Sequence, residues 1–369
     1  MIILTVNSGS TSIKLAAFEA APDGASSCIA HEQRAAGHVA PEQVLRDFLA
    51  RLPDRPAAIA HRVVHGGTRF TRPQRIDATV LDSIRQLSEL APLHNPQAVE
   101  WIEAARAAVD PAVAQIAVFD TAFFATLPRV AAHYALPARF GDAEGVRRYG
   151  FHGLAHESLW QRWCVLYPGL PRGGRLITLQ LGGGCSAAAI ANGAPRDTSM
   201  GFSPLEGLVM ATRSGDIDAA VVPYLQRRLS LTADSVIELL NRDSGVAGLA
   251  GSESDLGKLA ADPAATSQFA VELYCYRARK YVGAYLSVLG GCDGIVFGGG
   301  VGEHVPAIRE RILTGMGWAG IRLDLAANEA ARGTEARIDA ADGPLRVQVI
   351  RTDEEGILVR AALRAVLST

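Results

Sequence analysis

The stretch Ile3-Leu4-Thr5-Val6-Asn7-Ser8-Gly9-Ser10-Thr11-Ser12-Ile13-Lys14-Leu15 returns in altered form as Ile177-Thr178-Leu179-Gln180-Leu181-Gly182-Gly183-Gly184-Cys185-Ser186-Ala187. Each copy is an apolar strand, a turn of small residues and a second apolar strand. An amide residue closes the first strand each time, Asn7 in one copy and Gln180 in the other. The pairing points to an internal duplication at domain scale, one half beginning near residue 1 and the other in the middle of the chain.

Working outward, the pattern predicts a helix over 41–51, a strand over 57–64, helices over 79–90 and 96–108, and a strand over 113–120. Beyond the second turn it predicts helices over 216–228, 233–240 and 266–289. A strand over 294–297 then runs into Gly298-Gly299-Gly300-Val301-Gly302-Glu303 and a helix over 305–313, followed by a strand over 346–350 and a last helix over 354–366. Strands and helices alternate throughout, which is the mark of an α/β fold. The polar, alanine-rich stretch 323–343 reads as a surface excursion. No low-complexity linker separates the halves, so they are expected to pack closely around a cleft.

Hydrophobic residues make up 49% of the 369 and charged residues 20%, a soluble globular balance. A formal net charge of −2 gives no bulk field for nucleic acid or an anionic membrane, so any bound anion needs a local site. Cys28, Cys164, Cys185, Cys275 and Cys292 are odd in number and include no C-x-x-C pair. That argues against a disulfide framework or structural zinc and for a reducing, cytoplasmic compartment. The chain opens in a strand rather than a basic leader, and no run of about 18 apolar residues suggests a membrane span.

Alternation in a strand puts Ser10, Ser12 and Lys14 on one face, two hydroxyls and an ammonium beside a glycine turn. They form either a phosphate cradle or an ordinary polar hairpin tip. Arg62 and Val64 also share a face, a guanidinium beside a small apolar patch, which suits a short carboxylic acid; the alternative is an arginine snorkelling to water. Asp120 ends an apolar strand, where α/β folds place ligands, or else caps a helix. His152 lies in a loop between Gly150 and Gly153, near Arg147 and Arg148, and reads as an anion contact. Gly182–Gly184 and Gly298–Gly302 suit close backbone approach to a phosphate, although neither completes a Walker loop or a dinucleotide fingerprint. Arg213 precedes a helix, and Asp353-Glu354-Glu355 follows a strand, where magnesium could be held through one or two oxygens or where the acids merely cap a helix.

Taken in order, several segments resemble the acetate kinase family: Asn7–Lys14, His61–Gly67, Ala91-Pro92-Leu93-His94-Asn95-Pro96, Phe119–Phe123, Tyr149–Gly153, Ser199–Gly207 and Gly300–Glu303. The resemblance spans nearly the whole chain. It implies two duplicated actin-like domains of the acetate and sugar kinase type flanking a nucleotide cleft, one of residues 1–121 with 357–369 and the other of 122–356. It implies reversible phosphoryl transfer between ATP and acetate, giving ADP and acetyl phosphate, with Mg²⁺ or Mn²⁺, in a homodimer. Residue by residue, Arg62 and Arg213 would hold the carboxylate and the phosphoryl group, and His152 would meet that group in the transition state with His94 in support. Asp120 would sit at the acyl end. Asn7 and Glu354 would serve the metal, with Glu355 as fallback. Val64, Leu93, Phe151 and Pro204 would line the methyl pocket. Lys14, Ser10, Ser12, Gly182, Gly183, Gly184, Asp255, Gly300, Gly302 and His304 would face phosphates and nucleotide, with Ile308 and Arg309 flanking the adenine.

Three departures fall on the donor side. Gln180-Leu181-Gly182-Gly183-Gly184 stands where the family has His-Leu-Gly-Asn-Gly. Gly257 stands in place of an arginine, and His304 in place of an asparagine. The acyl side is intact. A same-fold kinase using pyrophosphate or another nucleotide, a non-catalytic ligand sensor, and a sugar kinase are the competing readings. The single cation in the Arg62/Val64 patch suits few hydroxyls and disfavours the last.

Overall fold

The computed structural model describes residues 1–9, 12–35 and 40–367, with 142 and 143 in backbone only. Its strands in chain order are β1 (Ile2–Ser8), β2 (Ser12–Ala20), β3 (Ser26–Ala35), β4 (Ala58–Val63), β5 (Gln74–Arg75), β6 (Ala114–Phe119), β7 (Arg175–Leu181), β8 (Cys185–Ala191), β9 (Ala194–Thr198), β10 (Gly294–Gly298), β11 (Ala336–Arg337) and β12 (Arg346–Val349). They form two six-stranded mixed sheets, in the orders β3-β2-β1-β4-β6-β5 and β9-β8-β7-β10-β12-β11. The two orders are the same construction. Each begins with an antiparallel meander of three strands. Two parallel strands are then added, and a two-residue antiparallel strand closes the edge. The duplication read from two turns therefore extends through the whole of both sheets.

Parallel neighbours need crossovers, and helices supply them. Helix Pro41–Leu49 lies between β3 and β4, and helix Asn95–Ala108 between β5 and β6. In the second half the 25-residue helix Ala265–Leu289 precedes β10, and helix Pro306–Leu313 lies between β10 and β12. A central parallel strand covered on both faces is apolar throughout rather than alternating, and β1 is buried at every residue. Leu4 and Val6 pack in one cluster with Phe48 and Trp101; Ile3 packs in another with Ile116 and Leu358 of the last helix, Glu354–Leu367. Each fully buried side chain of this size is worth roughly 1.5–3 kcal/mol, so this double coverage is what fixes the strand ends.

The chain divides into two compact units, Met1–Ala125 with Phe151–Ser158 and Asp353–Thr369, and Thr126–Gly150 with Leu159–Thr352. Phe151–Ser158 and residues 353–356, expected in the second domain, thus lie in the first unit. Packing explains the first of these: a Cβ on Gly153 would stand 1.9 Å from the Asp120 carbonyl oxygen, so only glycine lets this chain lie there. Capping explains the second, because the Gly356 N–H donates to Asp353 Oδ1 (2.8 Å) at the start of the last helix.

Two sequence expectations are overturned. The stretch 323–343 is no mere excursion: it contains helix Leu325–Ala330 and β11, and it buries Asn328 and Asp339. The helix expected over 216–228 starts only at Val221, because Asp216 is held in the preceding loop by the Gly207 N–H (2.8 Å) and the Tyr281 hydroxyl (2.8 Å). No helix among the described residues is long and apolar enough to cross a membrane.

Candidate active site

In the first unit, the parallel strands β1, β4 and β6 bring Asn7, Arg62 and Asp120 to their carboxyl ends, where α/β sheets bind ligands. Arg62 grips Asp120 from two nitrogens, Nε to Oδ1 at 3.1 Å and Nη2 to Oδ2 at 2.6 Å. Its Nη1 donates to Asn7 Oδ1 at 3.1 Å and stands 3.9 Å from Glu354 Oε2. Asn7 Nδ2 in turn donates to Glu354 Oε2 at 2.8 Å. Lys14, opposite Asn7 in the β1–β2 pair, lies 4.0 Å from Glu355.

The cluster is buried and charged. Burial alone would lower the Arg62 pKa, but the Asp120 and Glu354 carboxylates outweigh it and raise the guanidinium above its ordinary value. Burial also pushes the Asp120 carboxyl up, with Arg62 and the backbone N–H of His152 pulling against it. For Glu354 burial is overcome by Arg62, Asn7 and Lys14, and its pKa falls below the ordinary carboxylate range. Glu354 is thus a fixed anion.

This donor set fits magnesium, a hard cation that needs one or two carboxylates and takes the rest of its shell from water and phosphate. Three carboxylates against two cations leave the cluster short of positive charge. Asp353 caps the last helix, and Glu354 and Glu355 turn to Asn7 and Lys14 instead. Asn7 turns its N–H, not its oxygen, to Glu354, so it orients that carboxylate. Among the described residues no three His, Cys, Asp or Glu side chains form a metal-holding group.

His152 adopts a left-handed conformation, φ 57°. For a non-glycine residue this costs on the order of 1–3 kcal/mol and gathers at functional sites. Of the residues expected around the acid's tail, Val64 is 5% exposed and Phe151 1%, whereas Leu93 is 49% exposed. Phe151 meets His65 edge-on, ring centroids 5.4 Å apart. Ser12 begins β2, and its carbonyl accepts from the Gly9 N–H at 2.9 Å; Ser10 lies outside the described residues. His94 precedes helix Asn95–Ala108 and is half-buried.

The second unit holds the remaining candidates. Arg213 donates to the Pro204 carbonyl at 3.1 Å and forms no ion pair among the described residues. Burial pushes its pKa down, so it is a mostly buried cation with no carboxylate of its own. Gly182–Gly184 joins β7 to β8, and Gly183 stands exposed with nothing near the place of its missing Cβ. Gly300 is likewise open, whereas Gly302 is buried. Gln180 accepts from the Thr352 hydroxyl at 2.9 Å.

Three donor-side expectations meet a different geometry. Asp255 caps helix Leu256–Ala261 through the N–H groups of Gly257 (2.8 Å) and Lys258 (3.1 Å). His304 is exposed, with its ring over Gly333. Arg309 is fully buried beside the equally buried Ile308. Its Nε donates to Asn328 Oδ1 (2.8 Å), Nη1 to the carbonyls of Gly302 (2.8 Å) and Glu303 (3.2 Å), and Nη2 to those of Asn328 (2.7 Å) and Ala331 (2.8 Å). Every N–H of the guanidinium is spent on fastening two helix ends, so Arg309 has no donor left for an adenine. No motif points to this cage, four of whose five acceptors are backbone carbonyls brought together by the fold. Sequence reasoning also missed Asn95, Thr121 and Thr352, which hold the strand ends in place.

Residues 28–360 match the model of the acetokinase family. The chain belongs to the acetokinase family. Members are kinases that transfer phosphate to a carboxylate, with ATP and ADP as co-substrates. The acetate kinase of Clavibacter sepedonicus is 47% identical over 313 residues, 84% of this chain and 78% of that protein. That of Chloroherpeton thalassium is 44% identical over 315 residues, 84% of this chain and 76% of that protein. Among solved structures, Porphyromonas gingivalis acetate kinase superposes with a TM-score of 0.88 at 34% identity, covering 99% of both chains. A Francisella tularensis propionate kinase gives 0.89 at 31% identity, covering 98% of this chain and 99% of that one. Both sheets of this chain follow that shared α/β fold.

Proposed function

We propose that this acetokinase catalyses reversible, magnesium-dependent transfer of the γ-phosphoryl group of ATP to the carboxylate of acetate or propionate. The observation that carries the reading is the buried Asn7–Arg62–Asp120–Glu354 cluster at the carboxyl ends of β1, β4 and β6. A carboxylate oxygen attacks the γ-phosphorus in line, the bridging P–O bond to the β-phosphate breaks, and acyl phosphate and ADP result. Such a transfer needs placement and positive charge on the equatorial oxygens more than covalent help. Arg213, which has no counter-ion among the described residues, suits the phosphoryl group; Arg62, anchored by Asp120, suits the acid. His152 meets the phosphoryl oxygens, with His94 in support. Val64, Leu93 and Phe151 of the first unit would line the alkyl tail, and the family resemblance adds Pro204 of the second. Glu354, oriented by Asn7 and backed by Glu355, would hold Mg²⁺, whose charge neutralises that of the phosphates.

The donor side supports a second point. Arg309 is caged, Gly257 has no side chain, and Gln180 is tied to Thr352. ATP is therefore used with a raised KM and relaxed choice of base, and pyrophosphate is the poorer alternative. The five free cysteines support a cytoplasmic protein, and the family resemblance supports a homodimer. A matrix of donors (ATP, GTP, ITP, pyrophosphate) against acids (acetate, propionate, butyrate), with and without EDTA, tests the whole. Acyl phosphate formation from ATP that EDTA abolishes is expected. Turnover untouched by chelation, or strong rejection of GTP and ITP, would overturn the corresponding part.

A further inference from the structure

The wall that carries Arg62 and Val64 is not held by its sheet alone. Beyond β4 the chain leaves the ladder as Val64-His65-Gly66-Gly67, and four hydrogen bonds to three side chains pin it there. Asn95 supplies two bonding groups to one residue: its Nδ2 donates to the His65 carbonyl at 3.0 Å, and its Oδ1 accepts from the His65 N–H at 3.1 Å. The Thr121 hydroxyl accepts from the Gly66 N–H at 2.9 Å, and His65 Nδ1 accepts from the Gly67 N–H at 2.9 Å. Asn95 and His65 are both 0% exposed, where no water can replace a lost partner and an unmet polar group is costly.

Asn95 is also the first residue of helix Asn95–Ala108, directly after Leu93 and His94. That loop is closed on itself by the His94 and Asn95 N–H groups, both donating to the Ala91 carbonyl at 3.0 Å. One amide therefore joins two separate pieces of the acyl side, the Arg62–Val64 strand end and the Leu93–His94 loop. His65, which it grips, carries the edge contact to Phe151.

Resting on the acyl-site reading above, we infer that Asn95 is a positioning residue for the carboxylic acid substrate: it sets the spacing between the Val64 and Leu93 walls and so governs acid affinity and chain-length preference. Among the described residues its side chain bonds to His65 and to none of Asn7, Glu354 or the second unit's glycine turns, so its effect separates by substrate. A displacement of about 1 Å in such a wall costs up to a hundredfold in rate.

The test is steady-state kinetics on the full chain for wild type, Asn95→Ala and Asn95→Asp, with KM measured separately for acetate and ATP. Asn95→Asp is nearly isosteric; it keeps the acceptor for the His65 N–H and sets an oxygen against the His65 carbonyl, and it keeps the test decisive should the alanine variant not fold. The expected result is an acetate KM raised about tenfold or more, an ATP KM within about twofold, and a changed ratio of propionate to acetate kcat/KM. Equal rises in both KM values, or a lower melting temperature with acetate KM and acid preference unchanged, would make Asn95 a purely structural clamp and overturn the inference. Wild type inert with every short acid would instead overturn the acyl-site reading beneath it.

Discussion

The two sheets repeat one another strand for strand, yet their working ends are chemically opposite. Aligning the last paired residues of the β1–β2 and β7–β8 hairpins and counting along the parallel registers, Asn7, Arg62 and Asp120 fall on Gln180, Gly298 and Thr352. Where the first sheet carries a buried arginine–carboxylate pair, the second carries a glycine and a hydroxyl. A Cβ on Gly298 would lie 2.8 Å from Thr352 Oγ1, so the space of the first sheet's arginine is already filled. Thr352 donates to Gln180 (2.9 Å) and accepts from the Gly299 N–H (2.9 Å), and Glu303 is turned inward to the Gly299 (3.0 Å) and Thr352 (3.0 Å) N–H groups. A duplicated scaffold thus fixes where the strand ends lie but not what they hold. One end concentrates buried charge; the other spends its side chains on bracing the buried Gly299 backbone.

The sharpest way to test that contrast is to remove one arginine from each unit. Arg62→Ala and Arg213→Ala should both lose roughly 2.7–4 kcal/mol of transition-state stabilisation, a 10²–10³-fold fall in kcat. Their stabilities should part. Arg62→Ala leaves the buried Asp120 without its cation, which costs about 3–5 kcal/mol, whereas Arg213 orphans no carboxylate. Urea unfolding beside steady-state kinetics measures both. Equal stability losses would show that the charged and uncharged ends are energetically alike, and near-normal kcat in either variant would remove that arginine from the site.

Arg309→Lys probes the second unit's own bracing. An ammonium has three donors on a flexible stem and cannot span five acceptors on two helix ends. With at least two buried carbonyls left unmet, the expected loss is about 3 kcal/mol. The ATP base preference should stay as in wild type, because no donor of Arg309 reaches outward. A changed ATP-to-GTP ratio with normal stability would show that the side chain meets the base after all.

Acid should weaken the first unit first. His61 and His156 are fully buried there, and burial pushes both down to about 3 from an ordinary 6.5. A depressed histidine means the unfolded chain takes up the proton first, so stability present above pH 6.5 is lost as pH falls toward 3. At pH 5.5 each histidine should cost about 1.4 kcal/mol relative to neutral pH. Urea unfolding at pH 7.5 and 5.5 reads the sum, and His156→Phe should halve the difference. An unchanged slope in that variant would sink the assignment, as would hydrogen exchange that loosens β7 and β10 before β1 and β4.

Much of this was legible from residue order. The strand ends carrying Asn7, Arg62 and Asp120 could be placed because β1, β4 and β6 are mostly apolar runs with a polar or charged residue at or near the carboxyl end. β3 escaped because Ser26–Ala35 is an exposed edge strand without an apolar face, its hydrogen bonds supplied by β2 alone. The acidic run 353–355 left helix capping and metal binding open, and only the Gly356–Asp353 bond divides the two roles among neighbours. The Arg309 cage and the Asn95 clamp were beyond reach for a common reason. Their partners are main-chain groups, which every residue has, and only the folded chain selects which ones meet.

The finest distinction within the first unit is between its charged cluster and the apolar wall beside it. Val64 follows β4 directly and is 5% exposed, so its methyl groups are packed rather than solvated. In the proposed function Arg62 would meet the carboxylate that every short acid shares and so would not tell acetate from propionate, whereas Val64 would meet the part that differs. Val64→Ala removes two methyl groups from that wall and opens room for about one methylene, leaving the Arg62–Asp120 pair intact. The expected gain for propionate over acetate is about 1 kcal/mol, roughly a fivefold change in the ratio of kcat/KM values. This is the smallest effect expected and the most local. A unchanged ratio with a normal acetate KM would move the acid's tail away from Val64 and toward Leu93, whose side chain is half exposed. A fall in kcat for both acids by the same factor would mean instead that Val64 supports Arg62, and that the charged cluster and the apolar wall do not act separately.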